Sequence, residues 1–566
     1  MLIFIYVFFI SVFAETYRTA PLNPKFTKYM KRVETESPPI VSLQDAHPLS
    51  GWIPAPLTMA HSGGLEDPAV NVAYPSSFDL RFVPGRLPEV KNQLRNPSCW
   101  AFAATTSLES CLMPREFPDF SEWHLYRNHG FDRPEGGNAE IAAAYFARWA
   151  GPVNEEDVPY ESSGKGREIP RKHVQKMVFL PPRQGPLDNN TAKWFIMNHG
   201  AVYTAIQMET KYFNDSTFSL YVPVEDEIDH GVVILGWDDN YSARNFIDTP
   251  PGDGAFIARN SWGEDWGADG DFFISYYDKV MFPKAIYIDA EEPINYGNNY
   301  QYDPYGAVSA IGGTGRSAGM VYWGANIFEA YDNQPLEAVG FWTTDSKVSC
   351  NIYVYKNVVA GNPVDGQLVW THIQDFAYPG YYTVRMNQEI PLAKGEKFSV
   401  VIRYANTNFP YPVAIEMPLS GYISAATANA GESYCGPDGT NWEDLTVRRE
   451  NSNVCIKAFS KAHTAAIDLE VRRESTSSWL FDMSYGVLKM SVLNQNEVPV
   501  SKIEIYRKVE NGAFEFVHEL SGPDVDFQNI EYTDASYLDP SKHYIYQVVG
   551  KNDRDMMCGK SADVEI

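Results

Sequence analysis

The stretch NPSCWAF at residues 96–102 places a cysteine directly before a large aromatic residue, at the start of a helix-compatible run. A free cysteine is most often a small buried apolar residue. Only its sequence context can therefore indicate whether Cys99 is a nucleophile or a packing residue. Pro97 and Ser98 are favoured at helix starts, and Pro114 is typical of a helix end. The pattern predicts a helix that begins near Cys99, where the positive end of the helix dipole favours a thiolate.

Composition limits the class of protein. The chain has 566 residues, of which 44% are apolar and 14% aromatic, enough for several cores and about three or four domains. Its net charge of −26 argues against nucleic acid or an anionic membrane as a partner, because both attract basic surfaces. The sequence contains no cofactor motif and no metal-ligand spacing, so we expect neither a cofactor nor a metal.

The N-terminus carries the apolar run LIFIYVFFISVFA at residues 2–14. Its length suits a secretory signal (1–14) cleaved after Ala14 and is too short to span a bilayer. No Lys or Arg precedes the run, so a core segment or a wrongly assigned start is the alternative. No later stretch approaches 18 consecutive apolar residues, so we expect a secreted or cell-surface protein without a transmembrane anchor after signal removal.

Six cysteines stand at positions 99, 111, 350, 435, 455 and 558, without a CxxC pair or a dense framework. Cys111 lies about three turns beyond Cys99 in the predicted helix and suits buried packing. In an exported protein Cys435 and Cys455 could form a disulfide, which the sequence leaves open.

Changes in composition and hydrophobic pattern along the chain predict four regions after the signal. Residues 15–73 are polar and proline-dotted, with one short helix around 26–33, and predict an N-terminal extension or pro-segment. Alanine-rich helical stretches and strand-like runs predict an α+β domain over 74–287. Short β-type runs between turn residues predict all-β sandwiches over 288–460 and 465–566. In the last region, the spacing of a tyrosine corner is carried by Leu538, Pro540, Tyr544, Tyr546 and Val548.

Other segments supply the groups that a nucleophilic thiol needs. The run DHGVVILGW (229–237) puts His230 at the start of an apolar strand, which would hold its imidazole rigidly. The amide oxygen of Asn260 could fix the tautomer of that imidazole, and Trp262 could shield the hydrogen bond from water. Six residues before the cysteine, Gln93 could donate to the oxygen of a tetrahedral intermediate.

Five segments resemble papain-like cysteine peptidases in their order and spacing: PEVKNQ (88–93), SCWAFA (98–103), GG (136–137), DHGVVILGW (229–237) and RNSWGEDWG (259–267). His230 follows Cys99 by 131 residues, within the range of about 130–150 that this family shows. The resemblance covers residues 74–287. It implies an endopeptidase that hydrolyses peptide bonds by a Cys-His-Asn thiol mechanism and takes proteins or peptides as partners.

The resemblance also implies which residues act. It makes Cys99 the nucleophile and His230 the general base, which later acts as the acid. It makes Asn260 the residue that orients the imidazole and Gln93 the donor to the oxyanion. For substrate binding, Gly136 and Gly137 form the backbone edge that pairs with the peptide. Asp229 and Ala205 line the main side-chain pocket, and Trp262 lies beside the imidazole.

Three departures from the family pattern are present. Pro97 replaces a glycine two residues before the nucleophile, which removes a backbone N–H from the wall of the first specificity pocket. Asn96 and Pro134 stand where many members carry a disulfide, so both ends of that bond are absent together. The extension lacks the long helical pattern of plant and animal prodomains. Its apolar segment GWIPAPL (51–57) either lies over the cleft or belongs to a disordered linker.

The loop at 238–256 and the later segments NYQYDPYG (299–306), ANIF (325–328) and VCIKAF (454–459) resemble bacterial and archaeal members that carry a lectin-like domain. The last region resembles a fibronectin type III module. The expected fold class is therefore multidomain, an α+β papain-like peptidase domain followed by two all-β sandwich domains. The β modules are expected to attach the chain to a surface, with cell-surface glycans as candidate partners.

Two other functions compete with a peptidase. A catalytically silent binding or adhesion protein on the same fold is suggested by Pro97 and the missing disulfide, although the catalytic residues are intact. A Cys–His transferase is a weaker third hypothesis. In the middle region, Tyr322, Trp323 and Trp342 either stack on sugar rings or pack in the core, the commoner role of aromatic residues in a sandwich.

Overall fold

A computed structural model gives the fold of most of the chain. It describes residues 17–566 except for 36–50, 60–71, 134–135, 164–167, 315–319, 360, 463, 478–481, 495–499, 511, 513, 524 and 553–556. The predicted signal at 1–14 and Pro134 lie outside the described residues. Within them, no helix is both long enough and apolar enough to cross a bilayer.

The helices lie in the first half of the described chain. They are α1 (Pro24–Thr35), α2 (Cys99–Leu112), α3 (Glu122–Asn128), α4 (Ala139–Ala147) and α5 (Asn190–Asn198). Short 3₁₀ turns occupy Leu80–Phe82, Thr210–Tyr212, Ala243–Asn245, Pro293–Asn295 and Leu445–Val447. The helix predicted near Cys99 is confirmed as α2, which ends two residues before Pro114. Helix α2 carries apolar and small residues on nearly every side, which suits a central helix that is buried almost completely.

The first unit is built on an antiparallel sheet with α2 packed against it. Its strands, after β1 (Tyr17–Thr19) in the extension, are β2 (Ser77–Asp79), β3 (His173–Phe179), β4 (Val202–Ile206), β5 (Phe213–Asn214), β6 (Ser219–Leu220), β7 (His230–Asp238), β8 (Ala255–Arg259), β9 (Asp271–Ser275) and β10 (Phe282–Glu291). The central order is β3-β10-β4-β7-β8-β9, and α2 packs on β7 and β10. The helix start and the β7 start therefore lie side by side.

The middle unit is almost entirely strand. Its strands are β11 (Tyr296–Tyr300), β12 (Ser309–Gly313), β13 (Val321–Glu329), β14 (Leu336–Thr343), β15 (Val348–Lys356), β16 (Gln367–Phe376), β17 (Gly380–Ile390), β18 (Lys397–Ala405), β19 (Val413–Glu416), β20 (Ser433–Gly436), β21 (Glu443–Asp444), β22 (Asn453–Val454) and β23 (Ile456–Lys461). One sheet has the order β16-β15-β18-β13-β20-β21. A second sheet has the order β12-β19-β22, with β1 of the extension on β12. The third, β11-β23-β14-β17, continues into the first unit because β17 pairs with β3.

The pairing of β17 with β3 makes the first and middle units one body. Gly380, Tyr381 and Tyr382 lie opposite Val178, Met177 and Lys176. A single buried cluster contains apolar side chains of both units. The boundary that the sequence predicts at residue 288 therefore falls within a continuous sheet and core.

The C-terminal unit has a core of its own. Its strands are β24 (Ile467–Ser477), β25 (Asp482–Val492), β26 (Lys502–Val509), β27 (Glu515–Ser521), β28 (Ile530–Asp534), β29 (Tyr544–Lys551), β30 (Met557–Lys560) and β31 (Val564–Glu565). They form the sheets β24-β25-β28 and β27-β26-β29-β30, with β31 on β29, around a separate apolar cluster. The Tyr544 hydroxyl accepts a hydrogen bond from the Asp539 backbone N–H (3.0 Å), the local bond expected of a tyrosine corner.

Two alternatives left open by the sequence are decided in the middle unit. Cys435 and Cys455 are both free thiols, so they form no disulfide. Tyr322 and Trp342 are each 1% exposed and belong to the core, whereas Trp323 is only partly buried.

Candidate active site

Cys99 occupies the first position of α2 and is fully buried. Backbone groups of Gly231, Gly51 and Trp100 hydrogen-bond to its thiol and favour the thiolate. Because Gly231 directly follows His230 on β7, the thiol lies against the backbone next to the residue that carries the imidazole.

His230 has the partner that the sequence predicts. It is 1% exposed, and its Nε2–H donates to Asn260 Oδ1 at 2.8 Å. The same amide oxygen accepts the Ser261 backbone N–H at 2.8 Å, which fixes its orientation. With Nε2 bonded in this way, Nδ1 is the imidazole nitrogen that can exchange a proton with the thiol. The Trp262 ring lies 5.1 Å from the imidazole, centroid to centroid, and covers this pair.

Gln93 is held beside the helix start by contacts on both ends of its amide. Its Nε2 donates to the Asn96 carbonyl (2.8 Å), and its Oε1 accepts from the Ser261 hydroxyl (2.7 Å). The Tyr160 hydroxyl donates to the Gln93 backbone carbonyl (2.9 Å). Ser261 and Tyr160 were not predicted from the sequence. Only Ser261 carried a signal, since it directly follows Asn260 in a matched segment.

The two predicted glycines form a buried edge of the cleft. The Gly137 N–H donates to the Gly51 carbonyl (2.8 Å), and the Gly137 carbonyl accepts the Ile53 N–H (2.9 Å). A Cβ on Gly137 would lie 2.3 Å from the Trp100 ring, so a side chain does not fit there. Gly136 is buried beside it. This edge therefore pairs with a peptide backbone, here the chain's own.

The residues predicted to line the main side-chain pocket come from neighbouring strands. Ala205 is fully buried on β4, opposite Gly231 of β7. Asp229 precedes His230, and its Oδ1 accepts the Met208 N–H at 3.0 Å. Burial raises the pKa of the Asp229 carboxyl to about 6 against the hydrogen bond from Met208.

Residues 51–53 of the extension lie in this cleft, and the carbonyls of Ala55 and Pro56 accept hydrogen bonds from Asn23 of the same extension. The Trp52 N–H donates to the Asp229 carbonyl at 3.2 Å, in addition to the two bonds at Gly137. A Cβ on Gly51 would lie 1.8 Å from the Pro97 carbonyl oxygen, so only glycine fits against this proline. The segment GWIPAPL thus lies over the nucleophile and is not a linker.

The start of the extension is anchored on the middle unit. Strand β1 pairs with β12, and Phe26 of α1 is 2% exposed with its ring 5.3 Å from that of Tyr422. On the other side, Lys28 and Arg32 of α1 form ion pairs with Glu227. The extension is therefore fixed at both the middle unit and the cleft.

Burial beneath this segment keeps both reacting groups neutral. Burial raises the pKa of the Cys99 thiol to about 11, although backbone hydrogen bonds from Gly231 and Gly51 oppose the rise. Burial also lowers the pKa of His230 to about 4, against the hydrogen bond to Asn260. At neutral pH the covered site therefore holds a thiol and a neutral imidazole.

A buried thiol at a helix start, an imidazole bonded to an asparagine and a glycine edge occupied by peptide backbone define a thiol peptidase type of site. Family models agree: residues 74–285 match the papain family of cysteine proteases, and residues 299–460 match a lectin-like domain. The chain thus combines a papain-family cysteine protease domain with a lectin-like domain.

Solved structures share this combination. The cysteine protease and lectin-like domains of Cwp84, a surface layer associated protein of Clostridium difficile, are 25% identical. The likeness covers 79% of this chain and 98% of that one, with a TM-score of 0.65. A cysteine-to-alanine variant of clostridial Cwp84 after propeptide cleavage is 27% identical, with a TM-score of 0.60, over 68% of this chain and 100% of that one.

Curated relatives match the protease domain. Cysteine protease 1 of Oryza sativa subsp. japonica is 30% identical over 205 residues, which are 35% of this chain and 40% of that protein. A cathepsin L-like protein of Caenorhabditis elegans is 30% identical over 217 residues, 35% of this chain and 59% of that protein. The chain spans about half the length of these relatives.

Proposed function

We propose that the chain is an exported cysteine endopeptidase that is latent while residues 51–59 occupy its cleft. The observation that carries this proposal is the bond from His230 to Asn260 beside a thiol at a helix start. Supporting it, the glycine edge already binds a peptide backbone at Gly137. Export is supported by the apolar run at 2–14 and by the surface-layer association of the similar clostridial protein.

In the proposed reaction, His230 Nδ1 removes the proton from Cys99 as sulfur attacks the scissile carbonyl carbon. The carbonyl oxygen becomes an oxyanion, stabilised by the Gln93 amide and the Cys99 backbone N–H. When the C–N bond breaks, the imidazolium returns its proton to the leaving amine. Water then hydrolyses the thioester, with His230 as base, and restores the thiol. Asn260 orients the imidazole throughout.

Substitution of the reacting pair tests the proposal. Cys99→Ser or His230→Ala should remove essentially all cleavage of a peptide library without changing the fold, because the two groups act as a unit. Gln93→Ala should lower kcat roughly 10²-fold with little change in KM, since its amide engages charge formed in the transition state. Turnover within tenfold of wild type in either mutant would overturn the assignment of the reacting pair, whereas no turnover in the wild type itself would support a silent binding protein.

A second function, binding of a cell-surface glycan, has its own observation. On the six-stranded sheet of the lectin-like domain, the Trp323 and Tyr353 rings are nearly parallel, 5.8 Å apart, with Trp442 6.4 Å from Trp323. All three are partly exposed, and flat aromatic faces suit sugar rings. Trp323→Ala should abolish a polysaccharide-induced change in tryptophan fluorescence. The exposed Tyr537→Ala in the C-terminal unit is the control, and equal binding by both variants would exclude this surface.

A further inference from the structure

A pair of buried polar atoms lies where the extension enters the pocket. Tyr203 is fully buried on β4, and its hydroxyl has no hydrogen-bond partner among the described residues. The indole N–H of Trp52 is also buried, and among the same residues it too lacks a well-aligned acceptor. Burial raises the pKa of Tyr203, and the nearby Trp52 indole opposes this rise, so the two groups lie side by side without a well-aligned hydrogen bond.

The hydroxyl lies inside the main side-chain pocket. Tyr203 stands two residues before Ala205, so both side chains leave β4 on the same face. A Cβ added to Gly231 would lie 3.1 Å from the hydroxyl oxygen, which places that oxygen beside the start of β7. The Trp52 backbone is bonded to Asp229 at the rim. The indole and the hydroxyl therefore lie together at the start of β7, next to Asp229 and Gly231.

The chemistry of the two groups is complementary. An indole N–H can only donate, and a phenol oxygen can accept. In a dry pocket a polar atom left without a partner is costly, so a pocket with a buried hydroxyl discriminates against a side chain that cannot pair with it. An aromatic side chain of equal size without a donor would leave the Tyr203 hydroxyl unpaired.

We propose that Tyr203 is a specificity-determining residue of the main side-chain pocket, and that it selects a tryptophan side chain in the substrate. The proposal rests on the proposed peptidase function and names its substrate class as peptides with tryptophan at the position that enters this pocket. In the latent chain, Trp52 occupies the pocket as the substrate side chain would.

The test starts from the full-length chain, and limited proteolysis then removes the extension. A peptide series first moves one tryptophan through the positions on both sides of the scissile bond. At the preferred position, tryptophan is then replaced by 3-benzothienylalanine, which keeps the size and shape but has sulfur in place of the N–H. We expect kcat/KM to fall about tenfold on this replacement, the size of effect that one unmatched buried polar atom produces.

The matched variant is Tyr203→Phe, which removes only the hydroxyl. It should reduce the ratio between the two peptides to near one and leave the benzothienylalanine peptide within about twofold of its wild-type rate. An unchanged melting temperature shows that the fold is kept. Equal rates for both peptides in the wild type, or an unchanged ratio in Tyr203→Phe, would overturn the proposal.

Binding separates this inference from the proposed function. If the chain cleaves no peptide, yet binds the tryptophan peptide about tenfold more tightly than its benzothienylalanine analogue and loses the difference in Tyr203→Phe, the selective pocket stands and the peptidase proposal falls. If it cleaves peptides without this selectivity, the peptidase proposal stands and Tyr203 is only a packing residue.

Discussion

The two β units have similar sequence patterns but pack against the protease domain in different ways. The lectin-like unit joins the protease sheet through β17 and β3, and its buried side chains belong to the same core. The C-terminal sandwich has its own core and touches the protease domain at points such as Arg171, which lies within hydrogen-bonding reach of Tyr506. One β unit is therefore part of the protease fold, and the other is appended to it.

The units also differ in their relation to the extension. Strand β1 and Phe26 are held by β12 and Tyr422 of the lectin-like unit. The segment at 51–59 is bonded to this part of the extension, since the Asn23 N–H donates to the Pro56 carbonyl at 2.8 Å. We infer that the lectin-like unit contributes to latency, whereas the C-terminal sandwich does not.

The largest expected effect comes from truncation. Every residue with a predicted catalytic role lies before Gly267, which predicts that the whole region 288–566 is dispensable for chemistry. The sheet shared by the first two units divides this prediction in two. A chain that ends after residue 462 keeps β23 and should fold with an unchanged site. A chain that ends after residue 287 loses β17 and the last four residues of β10, leaves the β3 edge unpaired and exposes the shared core, so it should not fold.

Thermal unfolding and near-UV circular dichroism of the two truncations, beside the full chain, measure this difference. A cooperative transition for the chain ending after residue 287 would show that the lectin-like unit is appended like the sandwich. Loss of folding in the chain ending after residue 462 would show that the protease fold also depends on the sandwich.

The next effect concerns the pH dependence of Cys99 labelling by a peptide epoxide. With a pKa of about 11 the covered thiol is protonated at neutral pH, and with a pKa of about 4 His230 cannot share its proton. Labelling of the latent chain should therefore be slow at pH 7 and rise about tenfold per pH unit toward pH 11.

Removal of the extension takes Gly51 away from the Cys99 thiol, so we expect the thiol to become more accessible to solvent and its pKa to fall. Labelling should then be at least about 10²-fold faster at pH 7 and form a broad plateau, as expected of a coupled thiol and imidazole. Deletion of the C-terminal sandwich is the control and should leave the latent profile unchanged. A plateau already present in the latent chain would contradict the inhibitory role of residues 51–59.

Local motifs made the grouping of Cys99, His230 and Asn260 predictable from sequence. A helix start at Cys99 and a strand start at His230 depend on neighbouring residues, so pattern and spacing identify them. The pairing of β17 with β3 and the contact of Trp52 with Tyr203 join residues far apart in the chain. Such contacts follow from packing, which periodicity does not encode, and neither was predicted.

A matched pair of core substitutions sharpens the comparison. Ile352 and Ile503 are both fully buried, the first in the shared core and the second in the core of the sandwich. Replacement of either by alanine should cost about 2–5 kcal/mol of local stability. Calorimetry should show Ile352→Ala lowering the transition that contains the active site and Ile503→Ala lowering only that of the sandwich. One common transition that shifts equally in both variants would show that the cores unfold together.

The smallest expected effect tests the anchor of the extension. Phe26 packs against Tyr422 of the lectin-like unit, and Phe26→Ala removes a buried ring whose loss typically costs about 3–5 kcal/mol. The pairing of β1 with β12 and the bonds at Gly137 remain, so the extension should open more often without leaving. We expect Cys99 labelling at pH 7 to rise only about tenfold.

Two further variants show whether this rise comes from the anchor. Phe26→Leu keeps most of the apolar contact and should stay within about twofold of the wild type. Phe516→Ala, at a half-exposed phenyl ring of the C-terminal sandwich, should have no effect because that unit does not hold the extension. If Phe26→Ala labels no faster than Phe516→Ala, the cleft contacts alone keep the chain latent. The lectin-like unit would then support the protease fold without controlling access to its thiol.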